Sequence, residues 1–202
     1  MSVENNEITL CGTVEEEAVY SHNVRDEAFY VFKLRVPRLS VTDDVLPVTL
    51  SEKLLSESDI KVGKRICVHG QLRTYNKPSE TRPKLILTVF ARYITGEQET
   101  ENPNDVILNG YICKNPTYRK TPFGREITDL CLAVNRAFGR SDYIPAIAWG
   151  KNALRTKDME VGTNIIVRGR LQSREYSKRL GENEFETRVA YEVSITDVEN
   201  IS

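Results

Sequence analysis

The sequence predicts an all-β protein built from two tandem five-stranded barrels, each with a short helix between its third and fourth strands. Three observations carry this expectation: a diverged internal repeat, short apolar-alternating runs, and a glycine inside the fourth run of each half. With 202 residues, the chain is long enough for two units of about 100 residues, each able to bury a working core.

The repeat is seen in three blocks. Asn6-Glu7-Ile8-Thr9-Leu10-Cys11-Gly12 matches Asn104-Asp105-Val106-Ile107-Leu108-Asn109-Gly110 at an offset of 98. Phe32 to Arg38 meets Leu130 to Arg136 at the same offset, with apolar residues alternating in both. Lys61 to Leu72 meets Glu160 to Leu171 at an offset of 99. Conserved order at nearly constant spacing marks a repeated structural unit.

In the second half the strand-like runs fall at 105–114, 125–135, 143–149, 163–176 and 185–198. One helix fits between the third and fourth runs, Lys151 to Met159, with Ser51 to Ile60 as its counterpart. Val62-Gly63 and Val161-Gly162 form the turn into the fourth strand, and Gly70 and Gly169 mark a bulge or bend within it. Five strands with a helix between the third and fourth is the OB-fold layout. The polar, acidic stretch from Gly96 to Pro103 reads as a linker. The expected division is therefore 1–96, a linker at 97–103, and 104–202.

Composition narrows the function class. The net charge is −1, but residues 1–101 hold 13 basic and 16 acidic side chains, whereas residues 102–202 hold 15 and 13. The second half is thus the better polyanion binder. No run approaches the roughly 18 apolar residues of a membrane span. The N-terminus is polar and acidic rather than basic and apolar, so a cytoplasmic location is expected. Cys11, Cys67, Cys113 and Cys131 lack metal-site spacing and read as small buried hydrophobes in a reducing compartment. His22 and His69 are too scattered for a triad or a metal site. With no nucleophile–base constellation and no phosphate loop, neither an enzyme nor a cofactor is expected.

The second half interleaves aromatic and basic residues, the mixture a sequence-tolerant single-strand binder needs. Tyr143 flanks a polar loop, and Tyr176 ends a charged strand. Phe138 sits in a turn-like segment between Arg136 and Arg140, which a ligand explains better than a core does. Trp149 closes the apolar run from Ile144, and the pattern leaves it open between core and stacking platform. Phe185 and Tyr191 alternate with polar residues and read as core.

Several blocks together resemble the bacterial single-stranded DNA-binding protein family. They are Asn104 to Gly110, Asn115-Pro116, Tyr118 to Gly124, Leu132 to Arg136, Ile147 to Lys151 and Val167 to Tyr176. The resemblance covers nearly all of 104–200. It implies that Tyr143, Trp149 and Tyr176 stack on bases and that the basic residues beside them contact phosphates. With Phe138 added from its turn, the candidate phosphate contacts are Arg119, Arg136, Lys151, Arg170, Arg174 and Lys178. Residues 6–95 resemble the family only faintly. Leu50 stands where the second half has Trp149, and the Asn-Pro and Thr-Pro-x-Gly turns are missing. Lys33, Arg35, Arg38, Arg73, Tyr75 and Lys77 leave some binding open, but a scaffold or dimerisation barrel is the favoured reading of this half.

The resemblance implies single-stranded DNA as partner, with RNA left open, in replication, repair or mobile-element maintenance. The alternative is an accessory module of the primosomal type whose main partner is another protein. Because the family commonly assembles four barrels, two per chain suggest a homodimer. Family members usually end in a tail with an acidic, hydrophobic tip; this chain stops at Asp197 to Ser202, so recruitment through such a tail is not expected.

Overall fold

The computed structural model describes residues 5–38, 42–77, 84–96, 102–179, 181 and 185–201. The first half contains β1 (Asn6–Val14), β2 (Val19–Val24), β3 (Glu27–Val36), β4 (Asp44–Ser51), α1 (Glu52–Glu57), β5 (Arg65–Lys77) and β6 (Lys84–Gly96). The second contains β7 (Asn104–Ile112), β8 (Thr117–Lys120), β9 (Glu126–Asn135), β10 (Ser141–Trp149), α2 (Lys151–Thr156), β11 (Asn164–Arg179) and β12 (Phe185–Asn200).

Each half closes on itself. β1 pairs with β5, β5 with β6, β6 in parallel with β4, β4 with β3, and β3 returns to β1. β7, β11, β12, β10 and β9 form the same cycle. Alternation drives the closure: Leu34, Leu46 and Leu72 on one side, and Leu132, Ile144 and Leu171 on the other, are fully buried. Each such side chain contributes roughly 1.5–3 kcal/mol of transfer free energy.

Two expectations need correction. Each half has a sixth strand, β2 or β8, that pairs only with the following strand. Val19–Val24 is exposed at nearly every position, so no apolar period announces it. The helices are also shorter than expected, six residues each. Ser51 caps α1 by accepting from the Leu54 N–H, and an extended Ser58 ends it.

Gly70 and Gly169 do mark irregularities, with the register shifting at His69/Gly70 and Arg168/Gly169. The requirement is steric: a Cβ on Gly169 would stand 2.2 Å from the Ser194 carbonyl oxygen, and one on Gly70 2.1 Å from that of Phe90.

The cysteine expectation fails for one pair. Cys11 and Cys67 face each other across β1 and β5 with Cα atoms 4.1 Å apart and form a disulfide. They lie 56 residues apart, so only the strand register reveals them. Cys113 and Cys131 are free.

The halves meet through an antiparallel β1–β7 ladder centred on Ile8 opposite Val106. These residues match at the repeat offset, so a pseudo-two-fold axis passes between them. The Asn6 amide exchanges two 2.8 Å hydrogen bonds with the Leu72 backbone, and Asn104 does the same with Leu171 at 2.7 and 2.8 Å. Two buried carboxylates then latch the halves together. Asp44 accepts from Arg38, from Arg170 at 3.0 Å, and from the Ser173 N–H and hydroxyl at 2.6 and 3.0 Å. Asp142 accepts from the Thr74 N–H at 2.7 Å and from Arg73 at 3.2 Å, with Arg136 3.0 Å away. Both carboxylates are wholly buried.

Candidate nucleic-acid interface

Strand parity places the candidate rings. In β10, Ile144, Ala146 and Ala148 point into the core, so Tyr143 and Trp149 share the outer face. Tyr143 is 50% exposed, while Trp149 is half-buried and donates its indole N–H to Ser194 Oγ at 3.2 Å on the adjoining β12. The alternative left open for Trp149 thus resolves to the outer surface, with one edge anchored. Tyr176 is 37% exposed on β11, and the Arg174 guanidinium lies 5.9 Å from its ring centre. Phe138 stands 98% exposed in a short 3₁₀ turn, Ala137–Gly139, between β9 and β10.

Ion pairs sort the candidate cations. Lys151, at the start of α2, and Lys178, near the end of β11, are exposed and carry no ion pair among the described residues. Arg119 is held by Asp129 at 2.9 Å, which raises its pKa. Arg174 reaches Glu192 at 3.4 Å. Arg136 pairs with the buried Asp142 within the second half, whereas Arg170 reaches the buried Asp44 across the junction.

The first half differs at the matching positions. Strand register aligns Trp149 with Ser51 and Tyr143 with Val45, because Trp149 opposes Ile127 as Ser51 opposes Phe29. Leu50 is a wholly buried core residue matching Ala148, which corrects the expectation that it replaces the tryptophan. Arg73 and Tyr75, which the sequence left open for binding, lie here beside aromatic residues that it did not single out. His22 stacks on Phe29 with centroids 5.4 Å apart, Tyr75 lies 6.2 Å from His22, and Arg73 sits 5.9 Å over Phe90. Burial lowers the Arg73 pKa; Asp142 opposes the shift, while the nearby Arg136 and Arg92 add to it.

Phe185, expected in the core, is 64% exposed, because β11 and β12 extend beyond the barrel as a two-stranded arm. Tyr191 packs against the core as expected. Among the described residues, no group of three or more His, Cys, Asp or Glu could hold a metal ion, and no helix is long and apolar enough to cross a membrane.

Residues 103–199 match the profile of the single-strand binding protein family. A single-stranded DNA-binding protein of Clostridium tetani is 37% identical over 93 residues, 43% of this chain and 64% of its own length. Single-stranded DNA-binding protein 3 of Clostridium acetobutylicum is 34% identical over 96 residues, 44% of this chain and 67% of its length. The chain thus spans about two thirds of these curated relatives. The crystal structure of the wild-type single-stranded DNA binding protein from Thermus aquaticus superposes with a TM-score of 0.74 at 22% identity, covering 98% of this chain and 93% of that one. This likeness in fold extends over both halves, whereas the sequence matches fall on about half of the chain.

Proposed function

Because the chain belongs to the single-strand binding protein family, we propose that it holds single-stranded DNA by stacking bases on rings of its second half and neutralising phosphates beside them, in replication and repair. The observation that carries this reading is the outer-face placement of Tyr143 and Trp149 on β10, with Tyr176 exposed on β11 and Phe138 in the adjoining turn. Base–aromatic stacking tolerates any sequence and contributes about 1–3 kcal/mol per base. Phosphate contact falls first to Lys151 and Lys178, which carry no ion pair among the described residues. Arg119 and Arg174 would exchange a carboxylate for a phosphate on binding. The division into units 1–96 and 104–202 belongs to this proposal, as does a homodimer carrying four barrels, which light scattering checks.

The test uses Trp149, the only tryptophan. Titrating the full chain with oligo-dT at low and moderate salt, beside a duplex control, should quench its fluorescence and give affinity that falls with salt. No binding to oligo-dT at low salt would sink the proposal. A second reading, an accessory module acting chiefly through a protein partner, is favoured by Val45 and Ser51 standing where the second half has rings. It predicts weak oligo-dT binding together with a tight protein complex.

A further inference from the structure

Among the described residues, two non-glycine residues have left-handed backbones: Arg25 (φ 54°) and Phe138 (φ 64°). They belong to different halves. Arg25 forms the turn between β2 and β3, and Phe138 lies in the turn between β9 and β10. Both line a single open cleft of about 540 Å³ with Arg73, Arg136 and Arg140. A hollow of about 340 Å³ shares Arg73 and Arg136 and adds Arg92. Five arginines therefore gather at one face of the junction, and among the described residues no acidic side chain lines either space. The one carboxylate behind them, Asp142, is wholly buried and engaged by Thr74, Arg73 and Arg136. Arg136 meets that carboxylate through Nε, 3.0 Å from Asp142 Oδ2. Left-handed backbone at a non-glycine residue persists only where the surrounding structure holds it, and here two instances line the same space.

The pseudo-two-fold axis supplies an internal control. The hollow on the other side of that axis, about 610 Å³, contains Lys33, Arg35, Arg38 and Arg174, but Asp43 and Glu175 share its lining. Its cations are also engaged: Lys33 by Glu16 at 2.8 Å, Arg35 by Glu15, and Arg38 by Asp44. At the repeat offset Arg73 becomes Gln172, Phe138 becomes Ser40 and Arg140 becomes Thr42. The two hollows thus differ in one respect: among the described residues, acidic side chains line the second and not the first.

We propose that the arginine-lined cleft is a crossing site for a single DNA strand. It carries the phosphodiester backbone from the second half across the junction to His22, Tyr75 and Phe90 of the first, with the buried Phe29 behind them. Phe138 offers a free ring face at the entrance, and Arg73, which sits over Phe90, marks the exit. The first half is then a binding surface on this face rather than a scaffold. The inference rests on the proposed function and extends it to a path.

The experiment compares a short oligo-dT, long enough for one half, with one of about 35 nucleotides, using the full chain. Arg25→Gln/Arg140→Gln removes two exposed charges outside the Asp142 latch; Lys33→Gln/Arg35→Gln on the opposite face is the control. For the long strand, the first variant should lose about tenfold or more in affinity. Its log–log salt slope should become shallower by about 1.4, at roughly 0.7 per lost phosphate contact. The short strand should bind and quench Trp149 within twofold of wild type, and the control should leave both strands unchanged. Phe138→Gly guards against misfolding: glycine accepts the left-handed backbone, so this variant should melt at or above the wild-type temperature while binding the long strand more weakly. Long-strand affinity and salt slope unchanged in both cleft variants, with Trp149 still quenched, would overturn the crossing site and leave the proposed function intact. Failure of the wild type to bind either strand would overturn both.

Discussion

Replacing Asp44 with alanine should be among the most damaging single changes in this chain. Its carboxylate is wholly buried and accepts from Arg38, Arg170 and both the N–H and hydroxyl of Ser173. Removing it orphans the Ser173 N–H, which costs about 1–3 kcal/mol, and strands two guanidinium groups at the junction. Breaking a buried ion pair from one side costs about 3–5 kcal/mol, and because these losses share one site they do not add. A total near 3–5 kcal/mol is expected, read as a lower urea midpoint at unchanged m-value. Asp44→Asn keeps the shape but turns one acceptor into a donor facing a guanidinium, so it should recover only part. The pH dependence provides a second reading of the same latch. Burial alone would raise the Asp44 pKa, but Arg38 and the Ser173 N–H overcome it and hold the folded value below the ordinary one. A depressed folded pKa gives stability that is fully present above about pH 4 and fades as pH falls through the folded value. The wild type should lose stability over that window, and the alanine variant should lose less. A loss under about 1 kcal/mol for Asp44→Ala, or the same acid dependence in both proteins, would refute the latch.

Four further outcomes are expected. Trp149→Ala and Tyr176→Ala should each weaken oligo-dT binding by about 1–3 kcal/mol in fluorescence anisotropy, with little change in melting temperature. Gly169→Ala should destabilise by about 1–3 kcal/mol in thermal melts, since its Cβ would collide with the Ser194 carbonyl. Reducing the Cys11–Cys67 disulfide, which closes a 56-residue separation, should lower stability by about 4 kcal/mol on the chain-entropy account, as measured by urea unfolding with and without reductant. Cys131 should resist alkylation at pH 8.5 in a mass-spectrometric time course, because burial and the Cys113 thiol beside it push its pKa up to about 12.

The closed strands of both halves were legible because their apolar residues alternate and because the repeat aligns them. Gly70 and Gly169 were legible for the same reason, standing at matching points of one strand. What escaped has specific physical causes. β2 buries neither face and leaves no period to read. The Cys11–Cys67 bond depends on which residues two distant strands bring opposite each other. The mismatch between Leu50 and Trp149 is a one-residue slip, which in a strand exchanges core for surface. Arg136 and Arg170 look from sequence like their basic neighbours, and only their pairing with buried aspartates, Asp142 in the same half and Asp44 across the junction, sets them apart. The expected linker falls largely on residues 97–101, outside the described residues.

The ladder between β1 and β7 joins two halves that share an ancestral pattern but no longer share a surface. In an assembly of identical subunits, every substitution appears on both sides of the axis at once, so its two faces evolve in lockstep. Here Gln172 is uncharged where Arg73 is not, and Ser40 is small where Phe138 is not. Covalent linkage therefore breaks the equivalence of the two ends of anything lying across the junction. A polymer with direction can lie over such an axis in two ways, and because the sides differ those two ways are no longer equivalent.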